Sequence, residues 1–173
     1  MYLEPYLLAP SALTPTALSR LTAGLAADAR LWRDRLRWPG TERWYSHLRS
    51  TPLYDVWLLS WTPGQATELH DHGGSSGAFA VLTGSLRETL AVGAPASVHL
   101  TERTLPAGRT VAFGPAHVHD VAHAGDAPAA SLHVYSPPLR AMTYYEMAGA
   151  ALRTRRSVAT SVPEPTWPAL TPG

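Results

Sequence analysis

The sequence predicts a mainly β fold, a sandwich or closed barrel preceded by a short helical segment, and three observations carry the prediction. Turn signals recur along the middle of the chain, at Pro63-Gly64, Gly73-Gly74, Gly84, Gly93, Pro106-Ala107-Gly108, Gly114-Pro115 and Gly125-Asp126. Short strands fit the intervals between them. Asp55 to Trp61 is a compact apolar and aromatic run, the composition of a buried strand. Finally, Ser131-Leu132-His133-Val134-Tyr135 alternates polar with apolar residues, the period of a strand.

The elements follow in order. Residues 1–12 carry Pro5 and Pro10 and read as an extended lead-in. Thr14-Pro15 opens a helix, because threonine caps free N–H groups and proline suits the first turn. Leu18, Leu21 and Leu25 then share one helical face, and Leu31, Trp32 and Leu36 continue it in a second short helix before Pro39-Gly40. Strands begin near residue 53. The last one, Ala130 to Tyr135, is stopped by Pro137-Pro138. Met142 to Leu152 closes the domain as a strand or a helix, and Arg153 to Arg156 reads as a solvated helix end. The expected layout is one domain: a helical segment over 1–50, the barrel over 51–152 and a proline-rich tail over 153–173.

Bulk properties narrow the function. A chain of 173 residues with 45% hydrophobic and only 16% charged residues has enough apolar material for one core. A net charge of +1 gives no clustered basic face for nucleic acid. No apolar run approaches the ~20 residues that span a bilayer, and the N-terminus has no signal-peptide pattern. The expected location is the cytoplasm. Cysteine is absent, which excludes disulfides, thiolate metal sites and cysteine nucleophiles.

Two residue groups carry chemistry. His70 and His72 flank Asp71 in a stretch that reads as a hairpin; one strand face would present both imidazoles to a single metal ion. A third ligand must come from elsewhere, and His117, His119, His123 and His99 are available. Glu68 has the same strand parity as His70 and is an alternative ligand. His47 and His99 read as ordinary surface or core residues. The second group is Ser131, His133 and Tyr135, which share a face of one strand. If that face points inward the three satisfy one another as a hydrogen-bonded relay; if it points outward they form a polar stripe over a core of Leu132 and Val134.

The pattern Gly64-x5-His70-x-His72-x4-Gly77-x6-Gly84 matches the first cupin motif in every interval, with Gly77 where most cupins have a glutamate ligand. His119 and His123 match the end of the second motif, with histidine in place of asparagine. Beyond that, the chain resembles the cysteine dioxygenase family of thiol dioxygenases. The matching residues are Ser60-Trp61-Thr62-Pro63-Gly64-Gln65, His70-Asp71-His72-Gly73-Gly74-Ser75, Gly84 to Leu90, His119-Asp120-Val121 and Ser131 to Pro138.

The resemblance implies a cupin barrel and one Fe(II) per chain, held by His70, His72 and His119. It implies O₂-dependent oxidation of a small thiol to its sulfinate, with L-cysteine first and 3-mercaptopropionate next. It makes Ser131, His133 and Tyr135 the relay beside the metal, and Ser136-Pro137 a candidate cis peptide. Two departures accompany it. Gly77 stands where mammalian members have a cysteine crosslinked to the tyrosine. Ser46 stands where the family has a carboxylate-binding arginine, which leaves Arg43 and Arg49 as the candidate substitutes. The expected partners are a small thiol and O₂, with no nucleic acid or membrane, and the expected state is a monomer. A metal-binding cupin without turnover, or a cupin isomerase or decarboxylase, is the rival reading.

Overall fold

A computed structural model describes residues 12–40 and 42–163. The lead-in before residue 12 and the proline-rich stretch after 163 lie outside the described residues. Helix α1 is Pro15–Ala27, with Pro15 in its first turn, and the Thr14 hydroxyl accepts the Ala17 N–H at 3.2 Å. Where the sequence suggested a second helix, two single 3₁₀ turns occur, Ala29–Leu31 and Arg33–Arg35. The Trp32 indole donates to the Ala26 carbonyl at 3.0 Å and folds these turns back against the end of α1.

Ten strands follow: β1 (Trp44–Ser50), β2 (Asp55–Trp61), β3 (Ser76–Thr83), β4 (Ser85–Ala94), β5 (Ser97–Pro106), β6 (Thr110–Phe113), β7 (His119–Ala124), β8 (Ala129–Ser136), β9 (Ala141–Ala148) and β10 (Ala151–Ala159). They build a five-stranded sheet in the order β1-β2-β8-β3-β6, a three-stranded sheet β5-β4-β7 and a ribbon β10-β9. Residues 66–70 run between β7 and β9 as isolated bridges, Ala66 and His70 to Ala122 and His119 on one side and His70 to Tyr144 on the other. That segment joins the three-stranded sheet to the ribbon and completes the second wall of the barrel.

Two apolar clusters explain why Asp55–Trp61 is apolar throughout instead of alternating. Trp57, Leu59 and Trp61 face the barrel interior with Phe79, Leu86, Val121 and Met142. Val56 and Leu58 face the other way and pack with Leu132, Val134 and Leu18 of α1. A strand buried on both faces has no polar side to display. Leu18 is fully buried, so α1 is held by packing of its apolar stripe.

The chain departs from the expected boundaries at both ends. The segment expected to be helical up to residue 50 contains β1, whose Tyr45 and His47 face Leu59 and Trp57 across the ladder. The expected start of the tail at 153 falls inside β10, and Met142 to Leu152 is a hairpin rather than a helix. The basic run is a strand as well. Arg153 pairs with Glu146, while Arg155 and Arg156 both pair with Glu68. Those charges hold the ribbon to the 66–70 segment. Among the described residues no helix is long and apolar enough to cross a membrane.

Candidate metal centre

His70, His72 and His119 are buried, and each offers a ring nitrogen within 4.8 Å of those of the other two. The local structure that achieves this is not the regular hairpin expected from the sequence. The backbone N–H of His70 donates to the His119 carbonyl at 2.9 Å, and His119 returns the bond at 3.0 Å. Asp71 then turns the chain. Its Oδ1 accepts the N–H of Gly73 at 2.9 Å and of Thr143 at 3.2 Å, and its Oδ2 accepts the Tyr145 hydroxyl at 2.7 Å. The turn continues through Gly73, whose φ of +57° suits glycine and where a Cβ would lie 2.6 Å from the Ala141 carbonyl. The outcome is a His70–His72 ring separation of 4.9 Å without a strand ladder at His72.

Elementary hydrogen-bond accounting assigns the ring protons. His70 Nδ1 lies 2.7 Å from the Glu68 carbonyl, which can only accept, so Nδ1 carries the proton and Nε2 keeps its lone pair. His119 Nδ1 lies 2.7 Å from Glu88 Oε1, and a carboxylate likewise accepts. His72 has both ring nitrogens buried with no hydrogen-bond partner. An unpartnered buried imidazole is costly, and a metal ion that takes the lone pair of its unprotonated nitrogen removes part of that cost. The three residues therefore suit a divalent ion that accepts neutral nitrogen donors. Desolvation pushes His70 down to about 3 and holds His72 and His119 below the ordinary 6.5, so all three are neutral, as ligation requires.

Ser131, His133 and Tyr135 face the barrel interior, not solvent, since both faces of β8 are buried. Ser131 Oγ is 2.8 Å from His133 Nε2, and His133 Nδ1 is 3.2 Å from the Tyr135 oxygen. The chain begins one residue earlier than the sequence suggested, because the Trp61 indole N–H donates to Ser131 Oγ at 2.8 Å. An indole only donates, so the serine oxygen accepts from Trp61. His133 is neutral, driven down to about 3 by desolvation, and bridges the serine and tyrosine oxygens through its two ring nitrogens. The Tyr135 ring lies 5.0 Å from that of His72, which places the relay against the histidine cluster.

The remaining sequence candidates separate clearly. Glu68 is engaged by Arg155 and Arg156 and stands outside the histidine cluster. His117 stacks on Phe113 at 4.6 Å and bonds Glu88 at 3.3 Å. His123 bonds the Ala127 carbonyl, and His99 is exposed. Arg43 lies 4.1 Å from the ring centre of Trp61, at the head of the relay. Arg49, the other expected substrate residue, points to the opposite face of the sheet. A bulge between His47 and Arg49 shifts the register so that Arg49 pairs with Val56, and Arg49 lines a cavity with Leu25, Leu31 and Leu132 on the helix side. Ser46, paired with Leu58, faces away from the metal cluster too. His47 takes the inward position instead and stacks on Trp57 at 4.3 Å.

Two residues that the sequence reading passed over complete the site. Glu88 is fully buried beside His119; its signal was a charged residue sharing strand parity with Leu86 and Leu90. Phe113 fills the space beside Gly77, where a Cβ would lie 2.4 Å from Phe113 Cζ and 3.1 Å from Tyr135 Cδ1. The Phe113 ring also stacks on His72 at 4.9 Å. Position 77 thus has no room for a glutamate ligand or a crosslinking thiol. Ser136–Pro137 is a cis peptide.

A double-stranded β-helix barrel with three inward histidines on two segments defines the cupin class of protein. Solved structures similar in fold include a Thermus thermophilus protein (21% identity, TM-score 0.52, 61% of this chain and 92% of that one). Another is a Klebsiella pneumoniae protein with a double-stranded β-helix domain (20% identity, TM-score 0.51, 70% and 91%). A cupin superfamily protein from Desulfitobacterium hafniense is similar as well (12% identity, TM-score 0.51, 61% and 87%). Among curated proteins no sequence matches. The family model for cysteine dioxygenase type I matches residues 15–148, and the chain belongs to that family.

Two predictions follow from the site. The unfolded chain protonates its histidines near pH 6.5, whereas the folded metal-free protein leaves His70 and His133 neutral down to about 3. Stability is therefore fully present above pH 6.5 and falls as the pH drops from 6.5 towards 3, by up to about 1.4 kcal/mol per pH unit per histidine. Urea titrations of metal-free protein at about pH 7.5 and about pH 5 check this; equal midpoints would mean that these imidazoles protonate within the fold. Gly77→Ala must displace the Phe113 ring and with it His72. We expect a loss of about 1–3 kcal/mol in urea unfolding together with weaker metal retention; an unchanged midpoint would show that the barrel absorbs the methyl group.

Proposed function

We propose that the protein is an Fe(II)-dependent dioxygenase of a small thiol, with L-cysteine as the leading substrate and the sulfinate as product. The observation that carries this reading is the meeting of three neutral imidazoles with a tyrosine whose oxygen is held by a second, separate imidazole. His70, His72 and His119 would hold the iron, which would supply the redox chemistry between a thiol and dioxygen. The overall change balances as RSH + O₂ → RSO₂H: sulfur gives up four electrons, dioxygen takes four, and both oxygen atoms enter the product.

The protein's own groups orient this chemistry. Tyr135 is fixed by His133, which is fixed by Ser131, which is fixed by Trp61. In this reading His133 donates to the tyrosine oxygen, whose own proton then points to a substrate beside His72. Phe79, Leu59, Phe113 and Met142 surround the space with apolar surface and limit water. Arg43 is the cation we assign to a substrate carboxylate, because Arg49 and position 46 both face away. The reading takes one iron per chain, a monomer, and a thiol and O₂ as the only partners, in the cytoplasm.

The test is a thiol panel. Fe(II)-reconstituted protein is given L-cysteine, 3-mercaptopropionate or cysteamine, with and without air, and O₂ uptake is read with the product mass. One O₂ consumed per thiol and a sulfinate are expected. Iron-loaded protein that consumes no O₂ with any thiol is a binder or an isomerase and not a dioxygenase. Tyr135→Phe should keep its iron and lose turnover on the order of 100-fold; wild-type kinetics would remove Tyr135 from the reaction.

A further inference from the structure

We infer that Glu88 is the positioning residue for the ligand His119, and that the surface residue Arg103 anchors Glu88 in that role. The inference rests on the reading of His119 as a metal ligand. Its observations come from the β5-β4-β7 sheet, where Glu88 on β4 faces Arg103 on β5 and Val121 on β7, and His119 lies two residues from Val121 along β7. Arg103 lies directly opposite Glu88 across the β4–β5 ladder. Its Nε donates to Glu88 Oε2 at 2.7 Å and its Nη2 at 2.6 Å. On the other side, Glu88 Oε1 accepts His119 Nδ1–H at 2.7 Å and His117 Nε2–H at 3.3 Å.

A carboxylate with no exposed surface is expensive in a barrel core unless every oxygen is occupied. Here the four donors come from three side chains, and both oxygens are saturated. Burial alone would raise the Glu88 carboxyl; the hydrogen bonds from His117 and His119 and the charge of Arg103 outweigh it and hold the group ionised.

Glu88, His117 and His119 also have ligand atoms within 4.8 Å of one another, so they pose a second possible ion site. The bonding decides between the two arrangements. Oε2 is spent on the guanidinium, and the His119 nitrogen facing Glu88 is the one that carries a proton. A protonated nitrogen is no ligand. The lone pair of His119 is on the opposite side of the ring, at Nε2, where His70 and His72 complete the set. Glu88 thereby fixes the tautomer and the ring angle of His119, and its negative charge makes that imidazole a stronger donor. Arg103, 43% exposed, connects this arrangement to solvent.

The experiment is a metal titration of the full chain with Fe(II) or Co(II) against a chelator, for wild type, Glu88→Gln and His117→Gln. Glutamine keeps the shape and can still accept from His119, but it loses the charge and turns its amide N–H groups towards Arg103. Glu88→Gln is expected to weaken binding about 10- to 100-fold and to lower the thermal midpoint of the metal-free protein, since it breaks the buried pair with Arg103, while the binding of His117→Gln stays within about threefold of wild type. A folded Glu88→Gln protein that binds like wild type overturns the inference. Should that variant not fold, ¹⁵N imidazole shifts of metal-free wild type decide: a proton on His119 Nδ1 supports it and a proton on Nε2 overturns it. Wild-type protein that binds neither ion, yet shows the Nδ1 proton, removes the metal centre and leaves Glu88 with the orientation of His119 alone.

Discussion

The paired backbone hydrogen bonds between His70 and His119 are the constraint on which the centre depends. They lie at the seam where the 66–70 segment is inserted between β7 and β9, and they bring two of the clustered histidines from distant parts of the sequence onto neighbouring backbones. Once that contact is made, the third histidine, His72, needs only the Asp71 turn to follow. The same carboxylate ties the turn to β9 through Thr143 and Tyr145, so the ligand loop is braced on both sides. The site is thus part of the barrel's own closure. A loop laid on a finished scaffold would fix the same three rings far less tightly.

Charge is kept one step away from the histidines. The three imidazoles are neutral, and the nearest buried negative charge, Glu88, is balanced by Arg103 at the surface. A carboxylate placed directly among the ligands would lower the charge that an ion presents to incoming groups. Held behind a ring instead, it strengthens a donor while leaving the inner cluster uncharged. The relay shows the same economy of charge. Trp61, Ser131, His133 and Tyr135 form a hydrogen-bonded chain without a carboxylate or a cation, and it begins at an indole that can only donate.

Much of this was legible in the sequence because it depends on spacing and strand parity. His70, His72 and His119 stand out by spacing, Ser131, His133 and Tyr135 by alternation, and the N-terminal helix by its Thr14-Pro15 start and leucine stripe. What was not legible depends on register. Arg49 leaves the interior because one extra residue bulges between it and His47, and nothing in the residue types there announces a bulge. Ser46 faces outward for the related reason that parity counts from the ladder and not from a motif. The role of Trp61 was hidden within an apolar strand that is buried on both faces. Glu88 and Arg103 are far from the histidines in sequence, and only pairing across three strands brings them together. The basic run was misread as a helix end because its partner, Glu68, lies on a different segment.

Gly77 and Phe113 carry a consequence for how such a barrel changes over generations. The missing side chain at one position and the ring at the other occupy a single volume, and that ring also supports His72 and His117. Enlarging residue 77 first overfills the interior; shrinking residue 113 first hollows it beside the ligands. Each lone step is a loss, although the double exchange conserves volume. The two sites are therefore epistatic, and a side chain at 77 comes at no loss only where residue 113 is exchanged with it. Inheritance at one position is readable only together with the other.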